Sequence, residues 1–130
     1  MKVLLDTQIF VWLDSEPEKL SPQSKNVLEE PENQIYLSVV SIWELQIKSQ
    51  LGKLTLERSL KSILESQQEI NGLEILSIET THIFALENLP YHHKDPFDRL
   101  LISQAKTENL SLLTADHIFS KYEVELIKCI

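Results

Sequence analysis

Of the twenty acidic residues in the chain only five are aspartates, and Asp6, Asp95, Asp98 and Asp116 each stand where an apolar run stops or a helical pattern starts. Asp6 closes Val3-Leu4-Leu5, and Asp116 follows Leu110 to Thr114. If those two runs are parallel strands, both carboxylates project at the same edge of a sheet, where open α/β sheets place their sites. Asp98 precedes Leu101, Ile102 and Ala105 by three, four and seven residues, so it shares the face its helix buries. Glu44 sits among Val40, Trp43 and Ile47, at the border of an apolar stripe. Buried carboxylates are costly without a partner and raise one another's pKa values. A divalent cation resolves both problems. Oxygen donors without cysteine favour magnesium or manganese over zinc. Magnesium binds such donors at about 2.0–2.1 Å and keeps several waters, one of which can attack a phosphate in line. Two ions about 3.5–4 Å apart would stabilise both the attacking and the leaving oxygen.

Each acid also has an ordinary structural reading. Asp6 and Asp116 can be helix N-caps. Asp95-Pro96-Phe97-Asp98 is a good capping arrangement, an aspartate at the cap and an acid three residues on. Glu44 and Lys48 can form an i,i+4 surface pair. For phosphate contact the candidates are Lys48, Lys53, Arg58 and Lys61 after Glu44, Arg99 beside Asp98, and His92-His93-Lys94 before Asp95. Arg99, Lys48 and Lys94 are the preferred phosphate contacts, Arg99 first for its place on the opening turn of the acid-bearing helix. Adjacent histidines without cysteine are a weak zinc signal. His82 and His117 read as structural or exposed, and Trp12 and Trp43 as core.

These acids need elements to hold them. Val3 to Leu5 reads as a buried strand, followed by a short helix over Ile9 to Leu13 capped by Asp6 or Thr7. Ser21-Pro22 starts a helix that ends near Glu30-Pro31. Ile35 to Leu37 is a strand. Val39 to Gln50 is a helix with Val40, Trp43, Ile47 and Leu51 on one stripe and Gly52 as its stop. A helix over Glu57 to Ile70 ends at Asn71-Gly72. Leu73 to Ile78 is a strand, Thr80 to Asn88 a helix, and Leu89 to Lys94 a loop. Asp95-Pro96 opens the clearest helix, with Leu100, Leu101, Ile102 and Ala105 on its apolar face. Leu110 to Leu113 is a strand, Asp116 starts a short helix, and Val124 to Ile127 is a last strand. The alternation predicts a single α/β domain over residues 1–130, with a central, mainly parallel sheet of four to five strands flanked by helices.

Bulk properties bound the function. A chain of 130 residues with 42% hydrophobic and 25% charged residues is an ordinary globular composition, sized for one domain. The lone Cys129 gives no intrachain disulfide and no sign of an oxidising compartment. The apolar start stops at Asp6, too soon for a signal-peptide core, and no stretch is long enough to span a membrane. A cytoplasmic location without membrane contact is the expectation. The net charge of −8 lacks the basic footprint of most nucleic-acid binders. A carboxylate-lined metal site accounts for part of it, and an acidic surface suits a basic protein partner.

The same residues carry a family resemblance. Val3-Leu4-Leu5-Asp6-Thr7 resembles the opening strand and first acid of PIN domains. Ser38-Val39-Val40-Ser41-Ile42-Trp43-Glu44-Leu45 is similar to the helix with their second acid. Asp95 to Ala105, reading DPFDRLLISQA, resembles their third motif, and Leu112-Leu113-Thr114-Ala115-Asp116 their last. All four occur in the expected order, and the look-alikes are VapC-type toxins. The resemblance implies a PIN-like fold and an endoribonuclease of single-stranded RNA that uses Mg2+ or Mn2+. It also implies a cognate antitoxin and a homodimer. Carried over by position, Asp6, Glu44, Asp98 and Asp116 would be the catalytic, metal-holding acids. Thr7 and Thr114 would support them, and Asp95 would be a helix cap or outer acid.

Two other functions compete. A receiver-type signalling domain is also small, acidic, α/β and magnesium-dependent, but it wants paired acids after the first strand and a late lysine. Here Thr7 and Gln8 follow Asp6. A catalytically silent PIN-like interaction module is the stronger rival, opposed by the retention of all four acids.

Overall fold

The computed structural model describes residues 1–129. Five strands form one sheet in the order β3-β2-β1-β4-β5, and every neighbouring pair is parallel. They are β1 (Lys2–Leu5), β2 (Gln34–Ser38), β3 (Glu74–Leu76), β4 (Ser111–Thr114) and β5 (Leu126–Lys128). The first strand occupies the centre. Its register aligns Leu4 with Tyr36 on one side and with Leu112 on the other.

Continuous apolar runs in β1 and β4 follow from helices on both faces. Successive side chains alternate across the sheet, so Val3, Leu5 and Leu113 enter one core while Leu4 and Leu112 enter the other. The first core packs Ile9 and Phe10 from α1 (Thr7–Ser15) and Ile63 from α4 (Leu60–Asn71). It also takes up residues from α2 (Pro22–Glu29), Val27 and Leu28 among them. The second packs Val40 from α3 (Val39–Gln50) with Leu101, Ile102 and Ala105 from α6 (Pro96–Glu108). A short α5 (Thr80–Phe84) lies against α6.

The helices start and stop where local chemistry dictates. Ser21, Ser38, Ser59 and Asp95 each accept a backbone N–H from the first turn they cap. Gly72 ends α4 at φ 64°, a left-handed conformation cheap for glycine. Several bounds differ from expectation. Asp6 caps α1 so closely that the helix begins at Thr7 and runs to Ser15. Helix α4 begins at Leu60, because Ser59, not Glu57, provides the cap. The segment after Phe84 tightens into a 3-10 turn, Ala85–Asn88. Further 3-10 turns occupy Pro17–Lys19 and His117–Lys121. Among the described residues no helix is long and apolar enough to cross a membrane.

Candidate active site

At the carboxyl edge of the sheet, Asp6, Glu44, Asp95, Asp98 and Asp116 line one cavity of about 370 Å³ together with Lys48. Four elements deliver the acids. Asp6 follows the central strand, Asp116 follows β4, Glu44 lies on α3, and Asp98 lies on the first turn of α6. The parallel pairing of β1 with β4 accounts for the meeting of Asp6 and Asp116.

Hydroxyls and backbone amides hold these carboxylates in place. Asp6 Oδ1 accepts the Thr7 N–H at 2.8 Å, and its Oδ2 accepts the Thr114 hydroxyl at 2.8 Å. Thr114 Oγ1 in turn accepts the Asp116 N–H at 3.0 Å, so one hydroxyl ties two acids together. Thr7 Oγ1 donates to Glu44 Oε1 at 2.9 Å and lies 2.8 Å from Ser41 Oγ. Asp95 caps α6 and accepts from the N–H groups of Phe97 and Asp98. Asp116 caps the following 3-10 turn through Ile118 N–H. Capping and lining the cavity are therefore compatible for Asp6, Asp95 and Asp116. Asp98 stands three residues after a cap, but its carboxylate faces His93 Nε2 at 3.1 Å.

The charge in this cavity is poorly offset. Burial pushes the Asp98 carboxyl up to about 8, with the charges of Asp95, Asp6, Glu44 and Asp116 adding to it. Burial likewise lifts Asp6 to about 6. The hydrogen bonds from Thr114 and Thr7 oppose that rise, while Glu44 and Asp116 reinforce it. Among the described residues Lys48 is the one cation lining the cavity, its Nζ 2.6 Å from Glu44 Oε2. That hydrogen bond raises the pKa of the lysine. The donor set is all oxygen, suited to a hard divalent cation. Among the described residues no three His, Cys, Asp or Glu side chains close on a point as a metal cage would. The acids instead surround a shared space.

A family model for the PIN domain matches residues 3–125. The chain belongs to the PIN domain family. No curated protein matches it. Among solved structures it is similar to VapBC2 from Rickettsia felis bound to a promoter DNA fragment, with 23% identity, 98% of each chain covered and a TM-score of 0.77. DNA-bound VapBC from Salmonella typhimurium matches at 15% identity, covering 100% of this chain and 99% of that one, with a TM-score of 0.69. FitAcB from Neisseria gonorrhoeae matches at 21% identity, covering 97% and 96%, with a TM-score of 0.64. At such identities the likeness establishes the fold.

Within this PIN domain several residues fall where the sequence did not place them. Arg99 is buried, not free to meet phosphate. Its guanidinium donates to the carbonyls of Pro90 and Leu89 and to the Tyr122 hydroxyl, and it stacks on Tyr91. One residue along a helix is a turn of about 100°, so standing beside Asp98 points Arg99 into the protein. Lys94 is exposed and does not line the cavity. Lys48 does. Trp43 is 57% exposed and meets Phe97 edge to face; α3 buries Val40, Ser41, Glu44 and Leu45 instead. Glu44 is thus at the centre of the buried face, not at its border. Trp12 is half-buried and lines the cavity. His82 is fully buried and His117 exposed. His93, grouped with the phosphate contacts from sequence, touches Asp98 instead.

Proposed function

We propose that this PIN domain is a metal-dependent endoribonuclease that cuts single-stranded RNA and is the toxin of a toxin–antitoxin pair. The observation that carries the reading is the cavity itself. Four acids from four elements face one space, and two of them hold their protons above the usual carboxylate range because they are buried and face other carboxylates. Asp6, Glu44, Asp98 and Asp116 would hold Mg2+ or Mn2+. A divalent ion there would supply charge neutralisation and Lewis acidity toward a phosphodiester. Thr7 and Thr114 keep Glu44 and Asp6 oriented by donating to them. Lys48, half-exposed at the cavity, is placed to meet a phosphate oxygen. Arg99 and Lys94 have no part in this reading.

The toxin assignment draws on what the similar structures are, VapBC complexes and a toxin–antitoxin complex from Klebsiella pneumoniae. A cognate antitoxin, a homodimer and a cytoplasmic location belong to the same reading. Exposed Val39 and Trp43 on α3, with Leu51 just past its end, offer apolar surface for a second copy. A silent interaction module is the second reading, favoured by the absence of a closed three-ligand cluster among the described residues.

The test is cleavage of a mixed RNA pool with Mg2+, with Mn2+ and with chelator, comparing the native chain with Asp98→Asn. Metal-dependent cuts that vanish in the variant are expected. Cuts that persist in Asp98→Asn, or that ignore the chelator, would overturn the assignment. No cuts in any arm would favour the silent module.

A further inference from the structure

Asp98 is the least compensated acid of the cavity, yet one of its oxygens is engaged by a chain of side chains that the proposed chemistry does not use. His93 Nε2 lies 3.1 Å from Asp98 Oδ2, and His93 Nδ1 lies 2.7 Å from the Tyr122 hydroxyl. That hydroxyl is also 3.3 Å from the His93 backbone N–H and 3.3 Å from Arg99 Nη1. Counting protons orders the chain. A tyrosine oxygen has one hydrogen to give and two lone pairs to accept with. The guanidinium and the backbone amide can only donate, so they fill both lone pairs. The tyrosine hydrogen then goes to His93 Nδ1. With Nδ1 accepting, the neutral ring carries its hydrogen on Nε2 and donates it to Asp98.

We propose that His93 is a positioning residue that donates its Nε2 hydrogen to Asp98 Oδ2, its tautomer set by Tyr122 and Arg99. The proposal rests on the nuclease reading in so far as Asp98 serves a cation. The chain is anchored at its far end by the buried Arg99, which two carbonyls of the preceding loop hold in place. Tyr122 is itself fixed, buried beneath the edges of His92 and His93 and ending the 3-10 turn that Asp116 begins. One clamp thus ties the segment of Asp116 to the carboxylate of Asp98. It occupies a single oxygen of Asp98, and no hydrogen bond from a described residue engages the other. An acid held this way keeps its rotamer without a counter-ion, and binding a cation then needs less ordering of the side chain. The adjacent His92 makes no such contact, which separates two residues that the sequence presents as a pair.

Three variants test this. Tyr122→Phe keeps the ring and removes only the hydroxyl. His93→Phe removes the donor to Asp98, and His93→Gln restores a donor of similar reach. Imidazole nitrogen shifts read by NMR on the metal-free protein give the first readout. The native His93 should carry its hydrogen on Nε2, and Tyr122→Phe should mix the tautomers. A native ring with its hydrogen on Nδ1 would overturn the wiring. Calorimetric Mn2+ binding gives the second. His93→Phe should weaken it about 10-fold or more, Tyr122→Phe less, and His93→Gln should recover most of the loss. Variants that melt as the native protein does and bind Mn2+ equally well would overturn the positioning role alone. A native protein that binds no Mn2+ would overturn the nuclease reading and this role together.

Discussion

Two clusters of buried polar side chains lie on either side of α6, and they are built on opposite principles. Toward α5, Ser38 donates to Gln104, whose amide donates to the Ser77 carbonyl. His82 Nδ1 accepts the Glu79 N–H, and Ser103 donates to the His82 carbonyl. The carboxylate of Glu108 sits at the rim, 3.1 Å from His82 Nε2. Donors and acceptors match, and the cluster is neutral at its centre. Toward the cavity, five carboxylates share a handful of hydroxyls, amides and one lysine. Acceptors there outnumber donors. A saturated network rigidifies a fold and needs nothing more. An acceptor-rich one leaves like charges facing one another, which costs stability and suits a cation. Both regions use a histidine facing a carboxylate, so residue type alone does not separate support from site.

The sharpest way to break this contrast is to neutralise one member of the cavity. Asp98→Asn is expected to lower RNA cleavage more than about 100-fold, beyond the usual cost of losing an outer partner. The same change should raise the melting temperature of the metal-free protein at pH 8. A variant less stable than the native chain at that pH would make Asp98 structural. Gln104→Leu should do the reverse. It strands the Ser38 hydroxyl and the Ser77 carbonyl, costing about 1–3 kcal/mol in a urea titration, while Mn2+ binding by the folded fraction stays unchanged.

A pH series sharpens the contrast further. Asp98 titrates near 3.8 when unfolded and about 8 when folded. Between those values the folded chain holds a proton that the unfolded chain has released, so stability falls as pH rises through that window. Asp6 contributes in the same direction up to about 6. Melts from pH 5 to 8 without metal should show the decline. Mn2+ at about 100 times its dissociation constant should restore about 2.7 kcal/mol at pH 8. An unchanged slope with metal would separate these acids from the ion. The smallest effect is expected at Lys48. Lys48→Met should change stability by less than about 1 kcal/mol, because the ammonium is half-exposed. It should flatten the salt dependence of RNA binding by about one unit, as loss of one phosphate contact does.

The gathering of Asp6 and Asp116 was legible in the sequence, because two short apolar runs closed by acids leave little choice but parallel central strands. The span of α3, Val39 to Gln50, was legible too. What a one-dimensional pattern hid was direction. Trp43 reads as core because it is large and apolar, but α3 turns Val40, Ser41, Glu44 and Leu45 inward, where Thr7 of α1 meets Ser41 and Glu44. Arg99 reads as a phosphate contact because it neighbours Asp98, whereas the loop carbonyls of Leu89 and Pro90 claim its donors. His93 carries no signal of its contacts, since Tyr122 follows it by 29 residues and belongs to a different element. Periodicity reports burial within an element, and these errors all concern contacts between elements.

The bond from Thr114 to Asp6 joins the last quarter of the chain to its first strand. On a ribosome adding about 5–20 residues each second, Asp6 emerges roughly 5–20 s before Thr114 and Asp116 are made. Until then the central strand lacks its β4 neighbour, and the cavity lacks a wall. An unfinished chain therefore carries the first acids of the cavity but no cavity. Under the nuclease reading, the message being translated would be spared by the order in which its own product is assembled.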